Sequence, residues 1–288
     1  MEQVFVLGGA ALDILGVPRQ AFRLRDSNIG TVRISVGGVG RNIAESLTQY
    51  PLRVELVTAI GSDENGRMIR ANCERAGIGL TYALHADAPS ATYLAMLDGE
   101  GDMLAGVNDM GIIELLSPEF FARRLDALNA AAFAVLDANL SAEALEYLSR
   151  SLTCPFLYEP VSVAKAGRIG NNIGRCYAVK PNRFEAAYLS GCSCDTLTGV
   201  ARAAEWFLSQ GTARVFISLA GEGVYWADET GCGHIPAERV PIVNTTGAGD
   251  AMAAAIVDGS MRGLSAAQCA ANGNHRSALV CAGVRPNE

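Results

Sequence analysis

The chain has 288 residues, half of them hydrophobic, and a formal net charge of -7. This is enough apolar material for one large α/β core, while the acidic balance excludes the basic footprint of a nucleic-acid binder or of a segment drawn to an anionic membrane. A small phosphate ligand remains compatible, because backbone amides bind phosphate without net positive charge.

Residues 3–8 form a short apolar run stopped by Gly8-Gly9, the pattern of a buried strand ending at a turn that a ligand can approach. The run lacks a basic flank and is too short for a signal peptide or a membrane span, so a cytoplasmic location is expected. Asp13 follows closely. The polar stretch Asp26-Ser27-Asn28-Ile29-Gly30 and the alternation over 31–36 predict a half-exposed strand pair outside the main sheet. Gly37-Gly38-Val39-Gly40-Arg41-Asn42 is a glycine-rich loop opening a helix over 43–49, where glycines permit positive φ and close backbone approach.

Strand and helix signals then alternate, with a strand over 54–60, a helix over 64–76 and a strand over 80–84. Gly61 to Met68 has the glycine spacing of a P-loop, but Arg67 and Met68 stand where Lys and Ser/Thr are required, so it predicts only a capped helix start. Residues 91–98 and 103–107 flank Gly99-Glu100-Gly101-Asp102 as a hairpin that completes the exposed sheet. Strands are expected at 132–136, 156–158 and 176–179, with a helix over 142–152. In Lys180-Pro181-Asn182-Arg183-Phe184-Glu185, which opens a helix to 189, Asn182 and Glu185 share one face of the first turn. Two readings fit: a helix cap, or a hold on a hydrated divalent ion.

Further on, a helix over 202–210 and a strand over 215–219 lead to the turn Ala220-Gly221-Glu222-Gly223 and a strand over 224–226. Asn244-Thr245-Thr246-Gly247-Ala248-Gly249-Asp250 then feeds a helix to 261, and a last helix runs over 265–281. The eight cysteines fit no zinc or redox spacing and are expected to be reduced, while three histidines far apart disfavour a His-based metal site. The alternation predicts a mostly parallel sheet with helices on both faces in a single domain spanning 1–288, with a small β lid from insertions at about 14–36 and 91–110. In such folds the loops after strands share one crevice.

The loop before residue 251 concentrates the chemistry. The amides of Gly247, Ala248 and Gly249 would lack intrahelical partners at the positive end of the helix dipole, where an anion is stabilised. Asp250 then has two readings, a helix cap or a base that takes a proton from a hydroxyl attacking a phosphoryl group held by the loop.

Taken together, these motifs resemble the ribokinase-like sugar and nucleoside kinases, or PfkB family, over nearly the whole length. The resemblance rests on Gly8-Gly9 with Asp13, Gly37-Gly38 with Asn42, Gly61-Ser62-Asp63 with Gly66, Lys180-Pro181-Asn182 with Glu185, and Thr245 to Asp250. It implies ATP as phosphoryl donor, Asp250 as catalytic base, and the amides of Gly247, Ala248 and Gly249 as an anion hole. Sugar hydroxyls would be bound by Asp13, Gly37, Gly38 and Asn42. The nucleotide would meet Lys180, Asn182, Ser218, Gly221, Gly223, Asn272 and His275, with Mg²⁺ held by Asn182 and Glu185 through water. Asn244 and Thr246 match a monovalent-cation position, a place for K⁺, although the family commonly has Asp where this chain has Asn244. Ala220 likewise replaces a usual glycine.

Within the family, Asp26 to Gly30, Gly37 to Glu45, Val107-Asn108-Asp109-Met110 and Lys180 to Ala186 are similar to the pseudouridine kinase branch. Pseudouridine carries a ring N–H where uridine has its glycosidic nitrogen, and Asp26, Ser27, Asn28 or Asn108 on the lid would supply the acceptor. The expected reaction is phosphorylation of the nucleoside 5′-hydroxyl. Kinases of ribose or another nucleoside or sugar, and a silent nucleoside-binding sensor, are the alternatives. A lid with an exposed apolar face further predicts a homodimer.

Overall fold

Strand β1 (Gln3–Leu7) shows how the chain builds its core. Val4 and Val6 point to one face of the sheet and Phe5 and Leu7 to the other, and all four are completely buried. Helices cover both faces, so an unbroken apolar run is what the strand requires. Each such side chain contributes about 1.5–3 kcal/mol by leaving water.

The structure, a computed structural model, describes residues 1–98 and 102–284. In chain order the next strands are β2 (Ala11–Pro18), β3 (Gly30–Gly37), β4 (Arg53–Val57), β5 (Ala59–Gly61), β6 (Leu84–Ala86) and β7 (Thr92–Leu97). There follow β8 (Met103–Asp109), β9 (Phe133–Asp137), β10 (Phe156–Glu159), β11 (Ala178–Val179), β12 (Arg214–Ser218), β13 (Val224–Asp228) and β14 (Gly231–Ile235). Eight of them form the main sheet in the order β14-β13-β12-β11-β10-β9-β1-β4. The six from β12 to β4 run parallel, and β13 and β14 close one edge antiparallel.

The small sheet expected as a lid is separate and four-stranded, β3-β2-β7-β8. The chain enters it directly after Gly8 and Gly9, so the lid is rooted at the carboxyl end of β1. Ile34, Ile14, Leu94 and Val107 pair in one register row across its four strands and therefore share one face. Ile34, Leu94 and Val107 on that row are exposed, as is Val32 two residues along β3.

Several predicted boundaries shift. The expected strand over 54–60 breaks at the buried Thr58 into β4 and β5. The expected strand over 80–84 begins as a turn, with the Ala83 amide donating to the Leu80 carbonyl, and the strand itself is β6. The helix expected at 202–210 starts earlier, as Leu197–Ser209 capped by Thr196. Short helices at Pro118–Ala122, Leu125–Asn129 and Val163–Ala166, and the glycine-containing β14, carry too little periodicity to be seen in sequence. The capped start at Asp63 is present, its carboxylate accepting from the Gly66 amide at 2.9 Å. Strands β7 and β8 pair antiparallel, while the hairpin turn at Gly99 to Gly101 lies outside the described residues. All eight cysteines are free. No helix among the described residues is long and apolar enough to cross a membrane.

Candidate active site

Asp137, the last residue of β9, organises the carboxyl end of the sheet. Its side chain is fully buried and accepts the Gly9 amide at 2.9 Å and the Asn139 amide at 2.7 Å. Burial raises its pKa, and the amides of Gly9, Asn139 and Gly40 oppose that. Gly8 and Gly40 press against the carboxylate so closely that neither position has room for a Cβ. Gly38, at φ +96°, lies back to back with Gly9 and Ala10. The two glycine loops thus pack backbone to backbone, which only residues without side chains allow. Their closure sets the Asp13 carboxylate against Gly37 and places Asn42 in the first turn of helix Val39–Leu47. Burial raises the pKa of Asp13, with the nearby Arg41 opposing.

The third loop meets this pair from the far end of the sequence. Gly247 adopts the left-handed conformation at φ +84° and caps helix Ala248–Met261 without any side-chain hydrogen bond. Ala248 donates its amide back to the Thr245 carbonyl at 3.3 Å, so it is not the free donor expected from sequence. The amides of Gly247, Gly249 and Asp250 have no acceptor among the described residues. They leave this helix end open, a set of donors of the kind that stabilises an anion. Asp250 accepts from Asn42 Nδ2 at 2.9 Å. It keeps partial access to solvent through the crevice, and burial on its other sides pushes its pKa up to about 6, against the Asn42 hydrogen bond and the Lys180 and Arg41 charges.

Behind the helix end sits a buried ion pair. Lys180 Nζ lies 2.9 Å from Glu159 Oε2, both side chains at 6% exposure or less, and beside Gly249, where an added Cβ would stand 3.5 Å from the ammonium. Burial raises the Glu159 pKa to about 8 although Lys180 opposes it. Burial alone disfavours the Lys180 ammonium, but the carboxylates of Glu159, Glu185 and Asp250 outweigh that and raise its pKa. Asp137, Glu159 and Arg41 were not singled out from the sequence. The available signal was an acidic residue at the end of an apolar strand, as in Phe133 to Asp137.

Of the two readings left open for Asn182 and Glu185, the structure shows the cap. Asn182 Oδ1 accepts the amides of Phe184 and Glu185, and Glu185 Oε2 accepts the Asn182 amide at 2.8 Å. Asn182 also lines the crevice, whereas Glu185 is 2% exposed. No group of three or more His, Cys, Asp or Glu among the described residues is arranged to hold a metal. This donor set fits an ion carried mainly by phosphate oxygens and water, as magnesium is.

A cavity of about 930 Å³ runs from Gly249 along the sheet edge, lined by Asn182, Ser218, Gly221 and Gly223 among others. Ala220, in place of the usual glycine, takes φ +52° in this turn, a conformation unfavourable for a residue with a Cβ. Helix Ala266–Cys281 contributes Asn274, Ser277, Ala278 and Cys281. Asn272 is exposed and His275 pairs with Glu238 at 3.0 Å, and neither lines this cavity. Positions 274, 277, 278 and 281 fall on one helical stripe, and 272 and 275 lie off it.

The residues expected to read the base lie in the turn between β2 and β3 and on β8. Asp26, Ser27 and Asn28 are exposed and bond within their own turn, Asn28 Oδ1 accepting the Arg23 amide at 2.7 Å and Asp26 Oδ1 the Ser27 amide. Asn108 is exposed on β8 opposite Tyr93. Asn244 Oδ1 accepts the Thr246 amide at 3.0 Å, and both residues lie in a second groove with Arg41, Asn42, Gly247 and Val280.

The fold recurs in a solved ribokinase of Arabidopsis thaliana, complexed with ribose and ATP, at a TM-score of 0.88 and 20% identity over 97% of this chain and 92% of that one. This is the ribokinase-like class of α/β proteins. The model of the pfkB family carbohydrate kinases matches residues 1–286, and the chain belongs to that family of sugar and nucleoside kinases. It is 33% identical to the pseudouridine kinase of Escherichia coli K12, over 97% of this chain and 91% of the relative. It is 23% identical to a guanosine-inosine kinase of Exiguobacterium acetylicum, over 89% and 87% of the two chains.

Proposed function

We propose that the chain transfers the terminal phosphoryl group of ATP to the 5′-hydroxyl of pseudouridine. The observation that carries the reading is the 2.9 Å hydrogen bond from Asn42 to Asp250, which joins the glycine loop beside Asp13 to the anion-binding helix end. The 33% identity to a pseudouridine kinase supports the choice of nucleoside. Asp13 and Asn42 bind the ribosyl hydroxyls. Asp250 orients the 5′-hydroxyl and accepts its proton as the new oxygen–phosphorus bond forms and the bond to ADP breaks. The amides of Gly247 and Gly249 stabilise charge on the equatorial oxygens, and Lys180 supplies positive charge behind them. Asn182, at the crevice, would hold magnesium through water, with Glu185 buried behind it fixing the Asn182 backbone, and the ion when bound neutralises phosphate charge. Potassium would sit near Asn244 and Thr246, weakly, because Asn244 is neutral.

Cytoplasmic location and homodimerisation belong to the same proposal. The exposed row of Ile34, Leu94 and Val107 supports a second copy of the chain covering the lid. The test of function is the pure protein incubated with Mg-ATP and a panel of pseudouridine, uridine, inosine, adenosine, ribose and fructose. The expected outcome is the highest kcat/KM with pseudouridine. Preference for another acceptor replaces that substrate, and nucleoside binding without ADP release would make the protein a sensor.

A further inference from the structure

Arg41 stands next to Asn42 in the second glycine loop, with its side chain 6% exposed. One terminal nitrogen donates to Asn42 Oδ1 at 3.1 Å and reaches the Val36 carbonyl at 3.4 Å, at the root of the lid. The other donates to Asn72 Oδ1 at 2.5 Å and pairs with Glu45 Oε1 at 2.8 Å. Its Nε is buried with no hydrogen-bond partner among the described residues. The guanidinium is pinned on two sides so that it faces the Asn42 amide.

The consequence is chemical. A guanidinium only donates, so the Asn42 atom facing it must be the oxygen, and the NH₂ is thereby turned toward Asp250. An NH₂ facing a carboxyl favours its ionised, accepting form and disfavours a proton on the same oxygen. We infer that Arg41 is a positioning residue that locks the Asn42 side-chain amide in the orientation that keeps Asp250 ready to accept the hydroxyl proton. The inference rests on the reading of Asp250 as the base. Lysine cannot substitute, because one ammonium does not span Asn42, Asn72 and Glu45 in the plane of a fork.

Two measurements test this, and one needs no turnover. Carbon-13 carboxyl titration of Asp250, assigned with Asp250→Asn, is compared in wild type, Arg41→Gln, Asn42→Ala and the double variant. The charged groups around Asp250 are Lys180, Glu159, Asp137 and Arg41, and those around Arg41 are Glu45 and Asp13. Arg41→Gln is expected to move the Asp250 titration to higher pH, and by much less once Asn42 is alanine, leaving only the effect of lost charge. The second measurement is kcat against pH with the acceptor that the panel identifies. Arg41→Gln and Arg41→Lys are expected to lower kcat about tenfold, shift its acid limb upward and leave KM for ATP unchanged, with the loss non-additive to Asn42→Ala. Asn72→Ala, which removes one pin from outside the crevice, should give a smaller change of the same sign if Arg41→Gln does not fold. An Asp250 titration unmoved by these variants, or losses that add to that of Asn42→Ala, overturns the role. Absence of any phosphorylated acceptor would instead overturn the proposed reaction and leave the titration to decide on Arg41.

Discussion

Asn42 Nδ2 and Asp250 Oδ2 lie 2.9 Å apart across 208 positions of sequence. The contact joins the first turns of two helices, one opened by Gly38 and the other by Gly247, and both glycines have positive φ. Neither helix places its residue there alone. Gly8, Gly9 and Gly40 must first close over Asp137, and this closure makes the site sensitive to changes of a single methyl group.

Asp250 is the point where activity and stability oppose each other. Its pKa is raised to about 6 in the fold, so its ionised form is disfavoured there relative to the unfolded chain. A group raised in this way adds stability at low pH that is lost as pH climbs through the folded pKa. Asp250→Asn, whose amide oxygen still accepts from Asn42, should therefore raise stability at pH 8 by about 1–2 kcal/mol. The gain should fade as pH falls through 6 toward 4, while kcat drops by about three orders of magnitude or more. Thermal melts at pH 4.5, 6 and 8 with steady-state rates check both halves; a pH-independent melting shift would contradict the assigned burial.

In wild type the same group sets the acid limb of the rate profile. The carboxylate is the base, so kcat should rise with pH through about 6 and level off above it. A kcat constant from pH 5 to 8, with chemistry shown to limit the rate, would remove Asp250 from the role of base.

Lys180→Met strips the counter-charge from Glu159. Removing one member of a buried pair typically costs about 3–5 kcal/mol, and Glu159, whose pKa burial already raises to about 8, is left as a buried carboxyl without its partner. Pairing the change with Glu159→Gln should recover much of the stability but little of the activity, since the ammonium beside Gly249 is still missing. Denaturant melts and kcat of the single and double variants separate the two roles; full recovery of kcat in the double variant would make the pair purely structural.

Gly37→Ala tests the acceptor site without touching the donor site. A Cβ at Gly37 collides with the Asp13 carboxylate. The expected outcome is a rise of about tenfold or more in KM for the acceptor with KM for ATP near the wild-type value. An equal change in both constants would place the damage in the fold as a whole.

On the lid, a charge at Val107, exposed and in register with Leu94, should block a second copy from covering that face. Sedimentation of wild type and Val107→Glu checks this. A dimer in the first and a monomer in the second is expected, and a dimer in both would locate the interface elsewhere.

The sequence by itself determined the alternation of strand and helix, the buried character of Gln3–Leu7, the glycine positions and the helix starts at Asp63, Asn182 and Ser265. These depend on local periodicity, capping chemistry and φ preference, which neighbouring residues set. Only the tertiary structure decided that Ala248 bonds back to Thr245, that Asn274 and Ser277 rather than Asn272 and His275 line the cavity beside Gly249, and that Asp26 to Asn28 close on themselves. Helix rotation and side-chain pairing depend on what packs against the element. In the same way, Asp137, Glu159 and Arg41 look ordinary in sequence, because a carboxylate or guanidinium gains its role from burial and from partners tens to hundreds of residues away.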